Sequence, residues 1–317
     1  MRVFVAGATG VLGRALLPRL AAAGHSVYGL ARTPAKLLSV ENMGANAVRG
    51  DVLDRETMSN LFRAYRPDAV VNLATSIPLK LRINPSDWEM NDRIRIDGTR
   101  NLLSAAREVE VRLFVQESVG YICTSRGDEW MDEEAPRSQH AFLRTTLEME
   151  DQVRASPAGA VFRFGAVTSA DSWHIQQSIA AMRRGMMPII GAGEAFISMI
   201  HAADAAHAVV CALADPLSAA AHTFNVVDDE PVRMRDLWPY AAAMLHAPPP
   251  KHVPAFMAKL AVGAVTLEVL TASYRLTNTK IRERLQFNAR YPDYREAWRQ
   301  IAQDVNGMEF APPIELR

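Results

Sequence analysis

Near the amino terminus the sequence reads Gly7-Ala8-Thr9-Gly10-Val11-Leu12-Gly13, directly after a short apolar run and at the start of a helical pattern. Such a turn aims the free backbone N–H groups of its first helical residues, Val11 and Leu12 among them, and the positive end of the helix dipole at an entering anion. The strand–loop–helix context selects the pyrophosphate of a dinucleotide, with Gly7, Thr9, Gly10 and Gly13 allowing close backbone approach. Where NAD needs a carboxylate for its ribose hydroxyls, at the end of the second apolar run, the sequence has Leu30-Ala31-Arg32. Arg32, with Arg14 just past the third glycine, suits a 2′-phosphate, so NADP(H) is preferred over NAD(H). The competing reading leaves Arg32 stacked on adenine or in solvent. In Gly50-Asp51-Val52 the Asp51 carboxylate is placed near the adenine amino group, and Leu73-Ala74-Thr75 ends the fourth run beside the nicotinamide.

These residues require strands that end, and helices that begin, at the loops carrying them. Apolar, β-branched runs at residues 3–6, 26–31, 47–49, 69–74 and 113–116 alternate with helical patterns at 13–23, 55–65 and 93–108. The β-α-β-α-β-α-β-α-β rhythm is solved most economically by a parallel sheet with helices on both faces. Right-handed crossovers make it doubly wound, an α/β fold of Rossmann type. Beyond residue 120 come a charged loop at 126–137, a helix at 142–155, a strand at 160–164, helices at 176–184 and 202–214, and a strand at 223–227. Pro248-Pro249-Pro250 reads as a rigid connector. The predicted organisation is a dinucleotide-binding domain over 1–165, to which 200–228 return, and a smaller C-terminal substrate-binding cap over 166–199 and 229–317.

The chain has 317 residues, 49% of them hydrophobic, with 35 Lys+Arg against 35 Asp+Glu. Zero net charge removes the electrostatic footprint of a nucleic-acid or anionic-membrane binder, which leaves a small molecule as the expected partner; a homodimer stays open. Cys123 and Cys211 lie far apart with no Cys-x-x-Cys or Cys/His spacing, so neither a disulfide framework nor a metal site is expected. Free thiols fit a reducing cytoplasm. The longest apolar stretch, 254–273, carries Lys259 and Glu268, which favours a buried or amphipathic helix over a membrane span. Only five of the basic residues are lysines: Lys36, Lys80, Lys251, Lys259 and Lys280.

Taken together, residues 7–13, Asp51 and Val70-Val71-Asn72-Leu73-Ala74 resemble the extended branch of the short-chain dehydrogenase/reductase superfamily, the NAD-dependent epimerase/dehydratase group. Arg163-Phe164-Gly165, Ile200-His201-Ala202-Ala203-Asp204-Ala205-Ala206 and Phe224-Asn225-Val226-Val227-Asp228 extend the resemblance over nearly the whole chain. The resemblance implies a tyrosine and, four residues later, a lysine: the ammonium lowers the phenol's pKa and the phenolate exchanges a proton with the substrate oxygen. None of the five lysines has a tyrosine four residues before it. The segment that should carry the pair runs over 139–150. One register puts His140 and Arg144 at the two positions, where imidazole and guanidinium could mimic the pair. The other, preferred because Val153 then falls on a buried aliphatic position, puts Phe142 and Thr146 there and loses the pair outright.

Ser118, in Phe114-Val115-Gln116-Glu117-Ser118-Val119-Gly120-Tyr121, falls on the family's substrate-orienting serine. Tyr121 is the nearest phenol able to substitute as acid, or packs under the charged loop. Glu117, beside the strand end, reads as a base or, preferably, as a solvated carboxylate. His174, beside Trp173 in the expected substrate loop, is a further acid/base candidate. The acidic stretch 127–134 reads as a solvated flap whose Trp130 closes over a flat apolar ligand. Three functions are open to such a chain: an NADP(H)-dependent oxidoreductase of epimerase/dehydratase type acting on a small, rather apolar substrate with a non-standard proton donor; a redox-neutral cyclase, isomerase or dehydratase; or a non-catalytic NADP sensor. The same scaffold hosts all three.

Overall fold

Residues 2–6, Arg-Val-Phe-Val-Ala, are apolar after the first position, as a strand covered on both faces must be, and form β1 (Arg2–Ala6) at the centre of a parallel sheet. In the computed structural model, which describes residues 1–80 and 84–307, the chain continues through α1 (Val11–Ala22), β2 (Ser26–Ala31), α2 (Pro34–Asn42), β3 (Asn46–Arg49), α3 (Arg55–Tyr65) and β4 (Ala69–Asn72). Then come α4 (Glu89–Arg93), α5 (Thr99–Glu108), β5 (Leu113–Val119), β6 (Trp130–Met131), α6 (Arg144–Arg154), β7 (Gly159–Phe164), β8 (Ala166–Thr168) and α7 (Trp173–Arg183). The next stretch holds β9 (Pro188–Ile190), β10 (Phe196–Ile197), β11 (Met199–His201), α8 (Ala202–Ala214), α9 (Pro216–Ala219) and β12 (Thr223–Val226). Last are β13 (Val232–Arg233), α10 (Met234–Met244), β14 (Lys251–Val253), α11 (Ala255–Val262), α12 (Ala264–Thr271), β15 (Arg275–Leu276), α13 (Thr279–Leu285) and α14 (Tyr294–Gly307).

The central sheet has seven strands in the order β12-β7-β5-β4-β1-β2-β3, every pairing parallel. Strand alternation sends Val3 and Val5 to one face, against Leu16, Leu17 and Leu20 of α1, Val40 of α2 and Val209 of α8. Phe4 and Val70 point the other way, onto Met58 and Phe62 of α3 and Leu102 of α5. This is the expected doubly wound arrangement. Strand order reverses between β1 and β4, so the loops leaving those two strands splay apart and open a crevice at their carboxyl ends.

A second core packs Ile175 and Ile179 of α7, Leu237 and Ala241 of α10, and Trp298 and Ile301 of α14 together, whereas Ile281 and Leu285 of α13 and Phe287 join the core of the sheet. Four two-stranded pieces, β8/β11, β9/β14, β10/β13 and β6/β15, tie this part together and to the sheet. Among the described residues no helix is long and apolar enough to cross a membrane, and no group of three or more His, Cys, Asp or Glu side chains could hold a metal ion.

Several local expectations are revised. Helix α2 fills the interval between the second and third strands, where Thr33-Pro34 starts it; proline at the first helical turn has no N–H to satisfy. The single helix expected over 93–108 is α4, a π-helical turn at Ile94–Gly98 and then α5. The apolar stretch 254–273 is two short helices broken at Gly263, which has φ +83°, and it leaves Phe256 and Leu260 exposed. The acidic stretch 127–134 is not a free flap. Trp130 pairs with Arg275 along β6/β15, the Arg275 guanidinium lies 4.3 Å from the Trp130 ring centroid, and Arg233 Nη2 reaches Asp128 Oδ2 at 2.7 Å.

One buried ion pair joins the elements beneath the site. Glu150 on α6 and Arg163 on β7 are both fully buried; Arg163 Nε donates to Glu150 Oε1 at 2.9 Å and Nη2 to Oε2 at 2.8 Å. Arg154 Nη2 also donates to Oε2 at 2.8 Å, and Arg163 Nη1 donates to the Glu133 carbonyl at 3.1 Å. Parallel two-bond guanidinium–carboxylate pairing of this kind fixes both partners geometrically.

Candidate cofactor and reaction site

The crevice between β1 and β4 is lined by Gly7, Thr9 and Gly10 from the first loop, by Leu73, Ala74 and Thr75 from the loop after β4, and by Gly50, Asp51 and Val52 after β3. Helix α1 starts at Val11 with Gly10 as its N-cap and no side chain capping it, so its first amides are left to a ligand. The loop is too tight for side chains at two of its glycines. A Cβ on Gly7, where φ is +76°, would lie 2.4 Å from the Leu73 carbonyl, and one on Gly13 would lie 2.4 Å from the carbonyl oxygens of Gly7 and Ala8. This backbone cradle at a helix N-terminus fits a dinucleotide pyrophosphate. Gly7→Ala is accordingly expected to weaken NADPH binding at least about tenfold, read by fluorescence titration, since strain and close contact each exceed 1 kcal/mol.

At the adenine end Arg32, Lys36 and Asp51 line the same crevice. Arg32 Nη1 lies 3.4 Å from Asp51 Oδ2, with the two side chains 54% and 37% exposed, so the guanidinium is held loosely. Asp51 Oδ1 accepts the Leu53 N–H at 3.0 Å. Lys36, in the first turn of α2, adds to the expected set; its place four residues after Arg32 and just inside a Thr-Pro helix start is the signal that locates it. Arg14 departs from expectation. Its guanidinium is engaged by Asp171, at 2.8 Å through Nε and 2.7 Å through Nη2, and by the Thr9 carbonyl at 2.7 Å, which braces the glycine loop instead of facing the ribose.

A separate small hollow of about 10 Å³, room for roughly one water molecule, is walled by Ile77, Trp88, Asn91, Asp92, Arg95, Tyr121, Phe142 and Thr146. The Ser76 N–H donates to Asn91 Oδ1 at 2.9 Å and Thr145 Oγ1 donates to Asp92 Oδ1 at 2.6 Å, pinning α4 to the loop after β4 and to α6. The Tyr121 ring stacks against Phe142 at 6.4 Å and leans on Tyr274 at 6.3 Å. Burial holds the Tyr121 phenol above the ordinary tyrosine range, Arg95 opposing and Glu117 reinforcing that effect, so it is protonated at neutral pH. Phe142 and Thr146 face this cavity together, whereas Arg144 is 73% exposed and pairs with Glu148 at 3.7 Å.

The other expected groups lie elsewhere. Ser118 is completely buried and its Oγ donates to Glu150 Oε1 at 2.7 Å, so its proton serves the ion pair beneath the sheet end instead of a substrate oxygen. His140 Nε2 sits 3.4 Å from Glu268 Oε2 on α12, and its Nδ1 accepts the Phe142 N–H at 3.4 Å; it caps a short turn. His174, in the first turn of α7, is exposed and lines neither the crevice nor the cavity. Glu117 is 8% exposed, not solvated, and its Oε2 lies 3.6 Å from Arg95 Nη1. Arg95, 4% exposed, is a residue that sequence reasoning misses; nothing in its local sequence marks it, and only the π-helical turn carries it into the cavity wall.

A doubly wound sheet with a glycine cradle at its switch point defines a dinucleotide-binding protein of short-chain dehydrogenase/reductase type. The pattern of the NAD dependent epimerase/dehydratase family matches residues 3–226, and the chain belongs to that family. It is 31% identical, over 93% of its length and 98% of the relative's, to a Streptomyces 3-diazoavenalumate denitrifying reductase. It is 26% identical to the 2-alkyl-3-oxoalkanoate reductase of Shewanella oneidensis, covering 87% of this chain and 73% of that one. In fold it is similar to human epimerase family protein SDR39U1, solved with NADPH, at TM-score 0.81 and 21% identity, covering 96% and 100% of the two chains. The Thermus thermophilus UDP-glucose 4-epimerase, solved with NAD, superposes at TM-score 0.77 and 20% identity, covering 97% and 99%. The protein is thus an enzyme of the NAD(P)-dependent oxidoreductase or epimerase class.

Proposed function

We propose that the protein is an NADP(H)-dependent reductase acting on a small, largely apolar organic substrate, with the Tyr121 phenol standing in for the family's tyrosine–lysine pair. Two observations support this reading: an intact nucleotide crevice, and a protonated Tyr121 phenol in a small hollow walled by Trp88, Arg95 and Phe142, which has to widen to admit an acceptor. Bound NADPH supplies a hydride at nicotinamide C4. The chain's own residues do the rest: the glycine loop and α1 amides hold the pyrophosphate, Arg32 and Lys36 meet the 2′-phosphate, and Trp88 and Phe142 exclude water around the acceptor. As hydride reaches a carbonyl carbon, the Tyr121 O–H bond breaks and its proton passes to the carbonyl oxygen, giving the alcohol; the phenolate is reprotonated from solvent. Alignment in the cavity contributes a large part of the acceleration. The two free thiols, Cys123 and Cys211, support a reducing cytoplasmic setting for this activity.

The full-length Streptomyces relative favours a second reading, in which the acceptor is a diazo compound. An aryldiazonium ion that takes hydride and releases N2 balances without any donated proton, which would make loss of the tyrosine–lysine pair costless. The two are separated by Tyr121→Phe. With an aryl ketone as probe, NADPH oxidation is expected to fall about 10²–10⁴-fold, the usual worth of a positioned general acid. With an aryldiazonium salt it is expected to be unchanged. Turnover of neither probe, with NADPH bound but never oxidised, would overturn both.

A further inference from the structure

Arg95 and Glu117 form a buried charge pair that the ordinary chemistry of this fold does not require. The pair is unlike the Glu150–Arg163 pair below it. There, Glu150 accepts bonds at both oxygens; here Arg95 Nη1 approaches Glu117 Oε2 only to 3.6 Å, and Glu117 Oε2 is buried with no hydrogen bond. The one hydrogen bond found for the Arg95 guanidinium is Nη1 to Met149 Sδ at 3.6 Å, a weak acceptor. A guanidinium has five donors in a fixed fork, so one held this loosely by its neighbours keeps donors for the cavity it walls. Its backbone is equally specific. The π-helical turn between α4 and α5 is a costly local geometry that recurs at functional sites, and it carries both Ile94, which lines the nucleotide crevice, and Arg95, which lines the Tyr121 hollow.

We propose that Arg95, whose charge is partly offset by Glu117, is the cation of the reaction site, stabilising the negative charge left on the Tyr121 oxygen when its proton is transferred. This rests on Tyr121 being the proton donor. The lysine of the ordinary pair has no counterpart at Thr146, and among the described residues Arg95 is the only Lys or Arg lining the cavity. Glu117 partly offsets the charge of Arg95 without a hydrogen bond to it, so removing one partner or the other moves the phenol in opposite directions. The other groups facing Tyr121 are Asp92 on α4, already accepting from Thr145, and Tyr274, with His140 and Glu268 behind Phe142.

The test reads Tyr121 directly and needs no substrate. Full-length protein carrying biosynthetic 3-fluorotyrosine, whose more acidic phenol ionises within a workable pH range, is titrated by 19F NMR at saturating NADP+. The Tyr121 resonance is assigned by its absence in Tyr121→Phe. In Arg95→Met the ionisation midpoint is expected to rise by about one pH unit or more, in Glu117→Gln to fall by a similar amount, and in Arg95→Lys to stay near the parent value. A midpoint unmoved in Arg95→Met overturns the proposal, as does one unmoved in Glu117→Gln should Arg95→Met fail to fold. The ketone assay on Tyr121→Phe distinguishes the other failure: undiminished turnover there removes Tyr121 as donor while leaving the Arg95 measurement standing.

Discussion

Glu150→Ala is expected to cost about 3–5 kcal/mol of stability, the largest loss from any single side chain around the site, because it strands a fully buried guanidinium. Glu150 accepts from Ser118, from both arms of Arg163 and from Arg154, so its two oxygens serve four donors. Removing it leaves Arg163 with the Glu133 carbonyl and the Cys123 sulfur at 3.9 Å, neither of which carries full negative charge. A loss of that size lowers Tm by roughly 10 °C in a domain of this length, measured by circular dichroism melting. Ser118→Ala removes one donor and leaves Glu150 three, so its expected cost is only about 1 kcal/mol. The comparison also bears on chemistry. If Ser118→Ala melts like the parent yet abolishes turnover, the hydroxyl leaves Glu150 for the substrate, contrary to its place here. A Tm change below about 3 °C in Glu150→Ala would show that water takes over the carboxylate's role.

The contrast between Gly7 and Ser118 shows which features are legible in a sequence and which are not. The cradle is local: strand, glycine turn and helix start lie within residues 2–13, and each glycine is required by the atoms of its immediate neighbours or of the adjacent strand. The parallel sheet is legible for a similar reason, since each βα unit carries its own periodicity. Tyr121 and Phe142 meet only because β5 and α6 pack side by side, and the direction of the Ser118 hydroxyl is decided by a carboxylate 32 residues further on. Arg14 escapes by the same route, because Asp171 comes from a loop 157 residues away. Arg95 is invisible: a helical pattern read with 3.6-residue spacing assigns 93–108 to one face, and a π-helical turn changes the facing of every residue after it. Glu117 reads as solvated because a carboxylate beside a strand end usually is; its burial is supported by the very arginine that the pattern hides.

Cofactor choice offers the second large effect. Substituting Arg32 and Lys36 together by alanine is expected to weaken NADPH binding about 10²-fold while changing NADH binding less than about threefold, measured by nicotinamide fluorescence titration. Each charge-assisted bond to a phosphate is worth about 1.5–3 kcal/mol, and both side chains sit at the crevice mouth, so solvent and salt keep the pair toward the low end of the sum. Arg32 starts from an exposed 3.4 Å contact with Asp51, a weak interaction whose loss costs the free enzyme little, so nearly all of the difference falls on the complex. Asp51 sharpens the selectivity. In the parent its carboxylate is partly neutralised by Arg32; once Arg32 is removed, its uncompensated negative charge at the adenosine end of the crevice disfavours the 2′-phosphate dianion of NADPH more than it does NADH. Raising salt from about 50 to about 500 mM, a range over which the Debye length falls severalfold, should therefore weaken NADPH binding to the parent and barely touch the double variant. Equal losses for both nucleotides would instead mean that Arg32 works by stacking on adenine, a contact the two share.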